Sequence, residues 1–233
     1  MDKINVPGVH ELARPRTRRD FFKTLAVAGA GATAASALFA GKASAKTDDV
    51  DIANFALTLE YLEQDFYALA LDSGTLSGDA LGVVQNLESH ESQHVDALKG
   101  LLDSLGATPV EKPTFTFPAD ATSSQASILQ TAATLEPVGV GAYLGAAPLI
   151  SSPDILAAAG SIAGVEGEHV VAINWLLGVV PYANEAFPEA LTLDEVSAAV
   201  APFMGGKMLS TGGPKLSPEE EYRLAQAYRL AHL

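Results

Sequence analysis

The chain contains no cysteine, which excludes disulfides, iron–sulfur clusters, thiolate zinc sites and cysteine nucleophiles. Any bound metal must therefore be held by glutamate, aspartate and histidine. Aromatic residues make up only 7% of the 233 residues, whereas alanine and leucine are abundant; both lose little side-chain entropy in helices, which this composition favours. Basic residues are also few, 14 against 28 acidic ones, for a formal net charge of −14. Such a surface repels nucleic acid and anionic membranes, so neither is an expected partner.

The first 45 residues are net basic and resemble an export signal. Several arginines precede a modestly apolar stretch over residues 25–40, and residues 43–45 (Ala-Ser-Ala) offer a peptidase site. Residues 17–23 (Thr-Arg-Arg-Asp-Phe-Phe-Lys) resemble the twin-arginine translocation motif. The apolar stretch is shorter than the roughly 20 residues of a membrane-spanning helix. We therefore predict cleavage near Ala45 and an exported protein, periplasmic or extracellular, without stable membrane anchoring.

Four long helices are predicted where apolar residues recur at spacings of three and four. The pattern covers about residues 51–71, 79–105, 123–150 and 153–177. Residues 107–122 contain three prolines, which predicts a long crossover between the second and third helices. The sequence therefore predicts an all-α four-helix bundle.

The predicted domains are a signal at residues 1–45, the bundle at 46–180 and a helical C-terminal extension at 181–233. The extension is expected to hold a short helix near residues 193–203 and a last helix after Ser217. Two roles stay open for the extension: it covers the end of the bundle, or it forms a homodimer contact.

The two halves of the bundle segment repeat one pattern of Glu, Tyr and Glu-x-x-His. Residues 56–60 (Ala-Leu-Thr-Leu-Glu) align with residues 132–136 (Ala-Ala-Thr-Leu-Glu). A tyrosine follows seven residues after each of these glutamates, and Glu-x-x-His begins 31 residues after the first glutamate and 30 after the second. Residues three apart on a helix share a face, so each Glu-x-x-His presents two ligands to one side. The candidate metal ligands are Glu60, Glu91, His94, Glu136, Glu166 and His169.

Four carboxylates and two imidazoles on four helices are the ligand set of di-iron and di-manganese bundle proteins. Two divalent ions would neutralise the carboxylates, which would otherwise repel one another in a bundle interior. Such ligands suit iron or manganese, and zinc is also compatible. Tyr67 and Tyr143, the tyrosines of the repeat, are candidates either for redox-active groups or for core residues that bond a ligand carboxylate.

These residues resemble the ferritin-like superfamily, especially its exported and desiccation-related members, over roughly residues 50–180. The resemblance implies a ferritin-like four-helix bundle with the long crossover between helices 2 and 3. It implies that Glu60 and Glu136 are the single carboxylate ligands and that each Glu-x-x-His supplies a pair. Tyr67 and Tyr143 match tyrosines that neighbour the metal in several members.

Three other residues near the pattern need interpretation. Glu63 aligns with Gly139 in the repeat, whereas Glu60 aligns with Glu136, so we expect Glu63 at the rim or in contact with a ligand. Pro137 lacks an amide hydrogen, and helix three is expected to kink or restart there, which would make the second half of the centre the weaker one. His90 is expected beside the site, as a hydrogen-bond partner or an accessory ligand.

Residues 90–94 (His-Glu-Ser-Gln-His) also satisfy the H-E-x-x-H pattern of zinc proteases. In that interpretation His90 and His94 bind one zinc ion and Glu91 is the general base. The second Glu-x-x-His and the two aligned glutamates would then be coincidental, so the protease hypothesis is disfavoured.

Two functions remain open from the sequence. The first is an exported oxidoreductase with a dinuclear centre that acts on oxygen or peroxide, as a ferroxidase-, peroxidase- or catalase-like protein. The second is a non-catalytic metal-binding protein that protects against stress or desiccation.

Overall fold

The computed structural model describes residues 47–179 and 186–205. Five α-helices occur in these residues, and no strand does. They are α1 (Thr47–Asp72), α2 (Gly78–Ser104), α3 (Gln125–Ala146), α4 (Pro153–Leu177) and α5 (Leu193–Val200), with 3-10 turns at Ala147–Leu149 and Ala201–Met204. The all-α prediction is confirmed. The predicted signal at residues 1–45 and the last helix after Ser217 lie outside the described residues.

The helix boundaries follow from local capping chemistry. Ser124 and Ser127 form a capping box at the start of α3, each side chain bonding the backbone N–H of the other. Ser152 accepts the backbone N–H of Ile155, and Pro153 fills the first helical position, where its missing N–H costs nothing. The glycine after α4, Gly178, adopts a left-handed φ of 70° and ends that helix. The predicted range 153–177 is therefore confirmed.

The helices pack mainly as two hairpins, α1 with α2 and α3 with α4. Residues 107–118, which join the hairpins, are not helical, so the crossover is confirmed. Helix α3 continues through Pro137 without interruption. The helix therefore does not restart there, and a kink at the missing backbone hydrogen bond stays a prediction.

The buried apolar side chains form two clusters. Along α2, the first cluster ends at Leu87 and the second begins at Val95. Along α4, Ile162 belongs to the second cluster and Ile173 to the first. On these two helices the predicted ligands therefore lie in one layer between the clusters, whereas on α1 residues of both clusters alternate around Glu60.

The short helix α5 is held against α3 at two glycines. Leu191 donates its backbone N–H to the Gly141 carbonyl at 2.9 Å. A Cβ on Gly145 would lie 1.8 Å from the Leu191 carbonyl oxygen, so only glycine allows the chain this close. By contrast, a Cβ on Gly164 in α4 would meet no other group of the described residues within 4 Å.

We predict that Gly145→Ala destabilises the protein by about 1–3 kcal/mol, because the new methyl group displaces the segment before α5. Gly164→Ala is the matched control, and it should stabilise the protein by roughly 0.5–1 kcal/mol because an open helical glycine only costs chain entropy. Urea unfolding followed by circular dichroism measures both. Equal effects of the two variants would contradict the prediction.

Helix α4 is long and apolar enough to cross a membrane by length and composition alone, with a mean hydropathy of 1.2 over its most apolar window. The same helix carries Glu166 and His169, which are 0% and 2% exposed inside the bundle. Both side chains face carboxylates or histidines of the other helices. We therefore interpret α4 as a bundle helix.

Candidate metal centre

The six predicted ligands converge in the interior of the bundle. Helix α1 contributes one glutamate, α2 a Glu-x-x-His pair, α3 one glutamate and α4 the second pair. All six are buried, with exposures of 8% or less: Glu60, Glu91, His94, Glu136, Glu166 and His169. The repeat in the sequence therefore becomes one cluster of side chains. Its atoms form two overlapping groups, each within the reach of one metal ion.

The first group surrounds His94. Its Nδ1 lies 3.0 Å from Glu60 Oε2, 3.0 Å from Glu91 Oε2 and 3.2 Å from Glu166 Oε1. The four ligand atoms of this group all lie within 4.8 Å of one another. We call this group the His94 position.

The second group surrounds His169 and is called the His169 position. The Nδ1 of this residue lies 3.0 Å from Glu91 Oε1, 3.2 Å from Glu136 Oε2 and 3.7 Å from Glu166 Oε2. Glu91 and Glu166 therefore turn one oxygen towards each histidine. Placed in this way, Glu91 and Glu166 would bridge two bound ions, and Glu60 and Glu136 would be end ligands. Each position draws on both halves of the chain.

Each of the two tyrosines of the repeat bonds a glutamate in the other half of the bundle. Tyr67 donates its hydroxyl hydrogen to Glu136, and Tyr143 donates to Glu60. Burial raises the pKa of both phenols well above 10, and the charge of the bonded carboxylate raises it further. Both hydroxyls therefore keep their protons and fix one oxygen of each end ligand. This geometry is the one expected of core residues that bond a ligand carboxylate.

The centre has more acceptors than donors. Each histidine has one Nδ1 facing three carboxylates, and Glu91 Oε1 and both oxygens of Glu166 accept no well-aligned hydrogen bond from the residues described. One N–H cannot satisfy three carboxylates, whereas a metal ion binds several oxygens and a nitrogen lone pair at once. The residues present therefore fit a pair of divalent ions.

Protons can also compensate these charges. Burial lowers the pKa of His94, but hydrogen bonds to Glu166, Glu60 and Glu91 outweigh it and raise the pKa to about 12. The pKa of His169 is raised by the same balance of causes. Burial raises the pKa of Glu136 to about 8, although its bond to His169 opposes the shift. Protons and metal ions therefore compete for the same atoms.

His90 lies beside the centre and outside it. Its Nδ1 is 2.9 Å from Nε2 of His169, on the side of the ring that faces away from the carboxylates. A cavity of about 300 Å³ borders both rings and also touches Asn86 and Glu168. Burial, and then the two neighbouring histidines, lower the pKa of His90. A neutral His90 can fix the ring of His169, as expected for a hydrogen-bond partner of a ligand.

The geometry does not support a zinc protease. His90 pairs with His169 instead of sharing a metal position with His94. Glu91, which would be the general base, is 0% exposed and lies between two histidines.

Glu63 was expected at the rim or in contact with a ligand. It is only 4% exposed, which excludes the rim and leaves the second of these positions. It follows Glu60 by three residues on α1 and therefore shares its inward face. Burial, and then the charges of four neighbouring glutamates, raise its pKa well above 4.5. The spacing of three on an inner face was the available signal for it, and its alignment with Gly139 obscured that signal.

The comparison with curated proteins found no significant match. A family profile described as a ferritin-like domain matches residues 48–179, which is more than half of the chain and includes α1 to α4. This range contains the ligands of both metal positions. The chain therefore belongs to the ferritin-like domain family.

Proposed function

We propose that the protein is an exported oxidoreductase that holds two iron or manganese ions and acts on oxygen or peroxide. The observation that carries the proposal is the pair of bridging carboxylates, Glu91 and Glu166, each with one oxygen towards each histidine. Carboxylates placed in this way would hold two ions close enough to act on one small molecule. Export through a twin-arginine signal is part of the proposal, supported by the arginine pair and cleavage site of the first 45 residues.

The metal pair, when bound, would supply electron transfer to or from oxygen or peroxide. The protein's own groups have separable roles. His94 and His169 would anchor one ion each, and the protonated tyrosines hold the end carboxylates in place. The apolar clusters that flank the ligands on α2 and α4 would limit the access of bulk water. The cavity beside His90, which borders His169, would be the route by which a small molecule approaches the centre.

Elemental analysis of protein from its native host, followed by oxygen and peroxide consumption assays, tests the proposal. We expect about two iron or manganese ions per chain and turnover well above that of the same metal free in solution. As a control, Tyr61→Phe should keep both the metal content and the turnover, since this tyrosine belongs to the second apolar cluster and not to a metal position. Bound metal without turnover would favour the non-catalytic protective function instead.

A further inference from the structure

Glu63 adds a fifth carboxylate to the layer and is not among the four side chains of either metal position. It is buried on α1, one turn after Glu60. A buried carboxylate needs a hydrogen-bond donor or a cation to offset its lost hydration. The causes that raise its pKa are burial and four like charges, so its surroundings are strongly acidic. A cation is the partner that such surroundings favour.

The surroundings of Gly139 on α3 show which metal position the Glu63 carboxylate approaches. A Cβ on this glycine would be 3.3 Å from Glu63 Oε1 and 3.2 Å from Glu166 Oε2. Both oxygens therefore border the same small space on α3. Glu166 Oε2 is the oxygen that turns towards His169. The carboxylate of Glu63 thus approaches the layer next to the His169 position.

The repeat has no second copy of this carboxylate. Residue 63 aligns with residue 139, and glycine at 139 leaves the space that the Glu63 carboxylate borders. A side chain at 139 would compress both Glu63 and Glu166. The pair of Glu63 and Gly139 therefore breaks the twofold symmetry of an otherwise symmetric set of ligands.

We infer that Glu63 is a seventh ligand, directed to the ion at the His169 position, and that the two positions are consequently unequal. This inference rests on the metal centre of the proposed function and does not depend on turnover. The His169 position, with one more carboxylate, binds its ion more tightly and fills first. The His94 position fills second and exchanges its ion more readily.

Titration of the metal-free full-length chain with Mn²⁺ tests the inference, with free Mn²⁺ measured by its electron paramagnetic resonance signal. The wild-type chain should bind two ions in two resolved steps. Glu63→Gln should weaken the tighter step by at least about 10-fold, since even outer partners of metal ligands contribute 10- to 100-fold. The weaker step should change by less than about twofold.

Two further variants define the result. Glu60→Gln should weaken the second step and leave the first, because Glu60 belongs to the His94 position alone. Glu88→Gln is the matched control, since it removes a charge from α2 at a carboxylate that accepts a hydrogen bond from Ser92 and belongs to neither metal position. It should leave both steps unchanged.

Thermal unfolding gives an independent measurement and shows that the variant folds. Metal-free Glu63→Gln should unfold at a higher temperature than metal-free wild type, because one of five repelling buried carboxylates is gone. The rise in the unfolding temperature of Glu63→Gln on adding Mn²⁺ should be smaller than the rise for wild type. Equal affinity of the two wild-type steps, or unchanged titration of Glu63→Gln, would overturn the inference alone. A wild-type chain that binds no ion would overturn the metal centre as well.

Discussion

Glu91→Gln is expected to cost the protein both metal ions, and Glu166→Gln should do the same. Each of these carboxylates turns one oxygen to each histidine, so each belongs to both positions. An amide supplies only one neutral oxygen and cannot bridge two cations. We expect affinity at both positions to fall by at least about 100-fold, the upper end of the effect of outer partners. Metal content after dialysis, measured by plasma mass spectrometry, checks this.

Glu136→Gln is the informative comparison, because Glu136 serves the His169 position only. It should lower the content by one ion per chain, whereas loss of either bridge removes two. Circular dichroism should show an intact bundle in all three variants, since glutamine has the same shape and removes a repelling charge. Unchanged metal content in the double variant Glu91→Gln/Glu166→Gln would refute the proposed centre.

The stability of the metal-free protein should fall as the pH rises from 5 to 8, and that of the metal-loaded protein should rise. Glu136 has a folded-state pKa of about 8, above the ordinary 4.5, so its stabilising proton is fully present below pH 4.5 and is lost as the pH rises through 8. The pKa of His94 is raised from 6.5 to about 12, so its contribution declines above pH 6.5. Both groups act in the same direction.

We expect a loss of at least about 2 kcal/mol in the metal-free protein over this range, since one unit of pKa corresponds to about 1.4 kcal/mol. Metal ions need the deprotonated ligands, so their affinity and the stability they confer increase with pH. Thermal melts at pH 5 and pH 8, with and without Mn²⁺, measure both slopes. Glu136→Gln should flatten the metal-free slope; a metal-free slope of opposite sign would contradict the assignment of protons to these residues.

The helices and the convergence of the six candidate ligands could be predicted because both depend on local spacing. Apolar periodicity and prolines mark the helix ranges, and Ser152 with Pro153 marks the start of α4. The Glu-x-x-His spacing places two side chains on one face whatever the tertiary packing. The repeated order of residues then identified the partners, which the structure brings within 3.0–3.7 Å of one another.

Properties that depend on how the helices interlock could not be predicted. Which glutamates can bridge the two metal positions depends on how far α2 and α4 are shifted along the bundle axis. Spacing within one helix does not determine this shift. The symmetry argument left Glu63 either at the rim or in contact with a ligand, because the residue that makes room for it is a glycine on another helix. Of the two effects expected of Pro137, the restart does not occur, since tertiary packing can override local propensity.

The exchange of tyrosines between the hairpins bears on how such a chain arises. Tyr67 of the first hairpin donates a hydrogen bond to Glu136 of the second, and Tyr143 of the second hairpin donates one to Glu60 of the first. A lone hairpin has neither the partner for its tyrosine nor the second bridge for its metal. Two copies of one hairpin, paired face to face, would have both. A duplicated and fused ancestor would therefore inherit a working centre, and its halves would then be free to diverge one residue at a time.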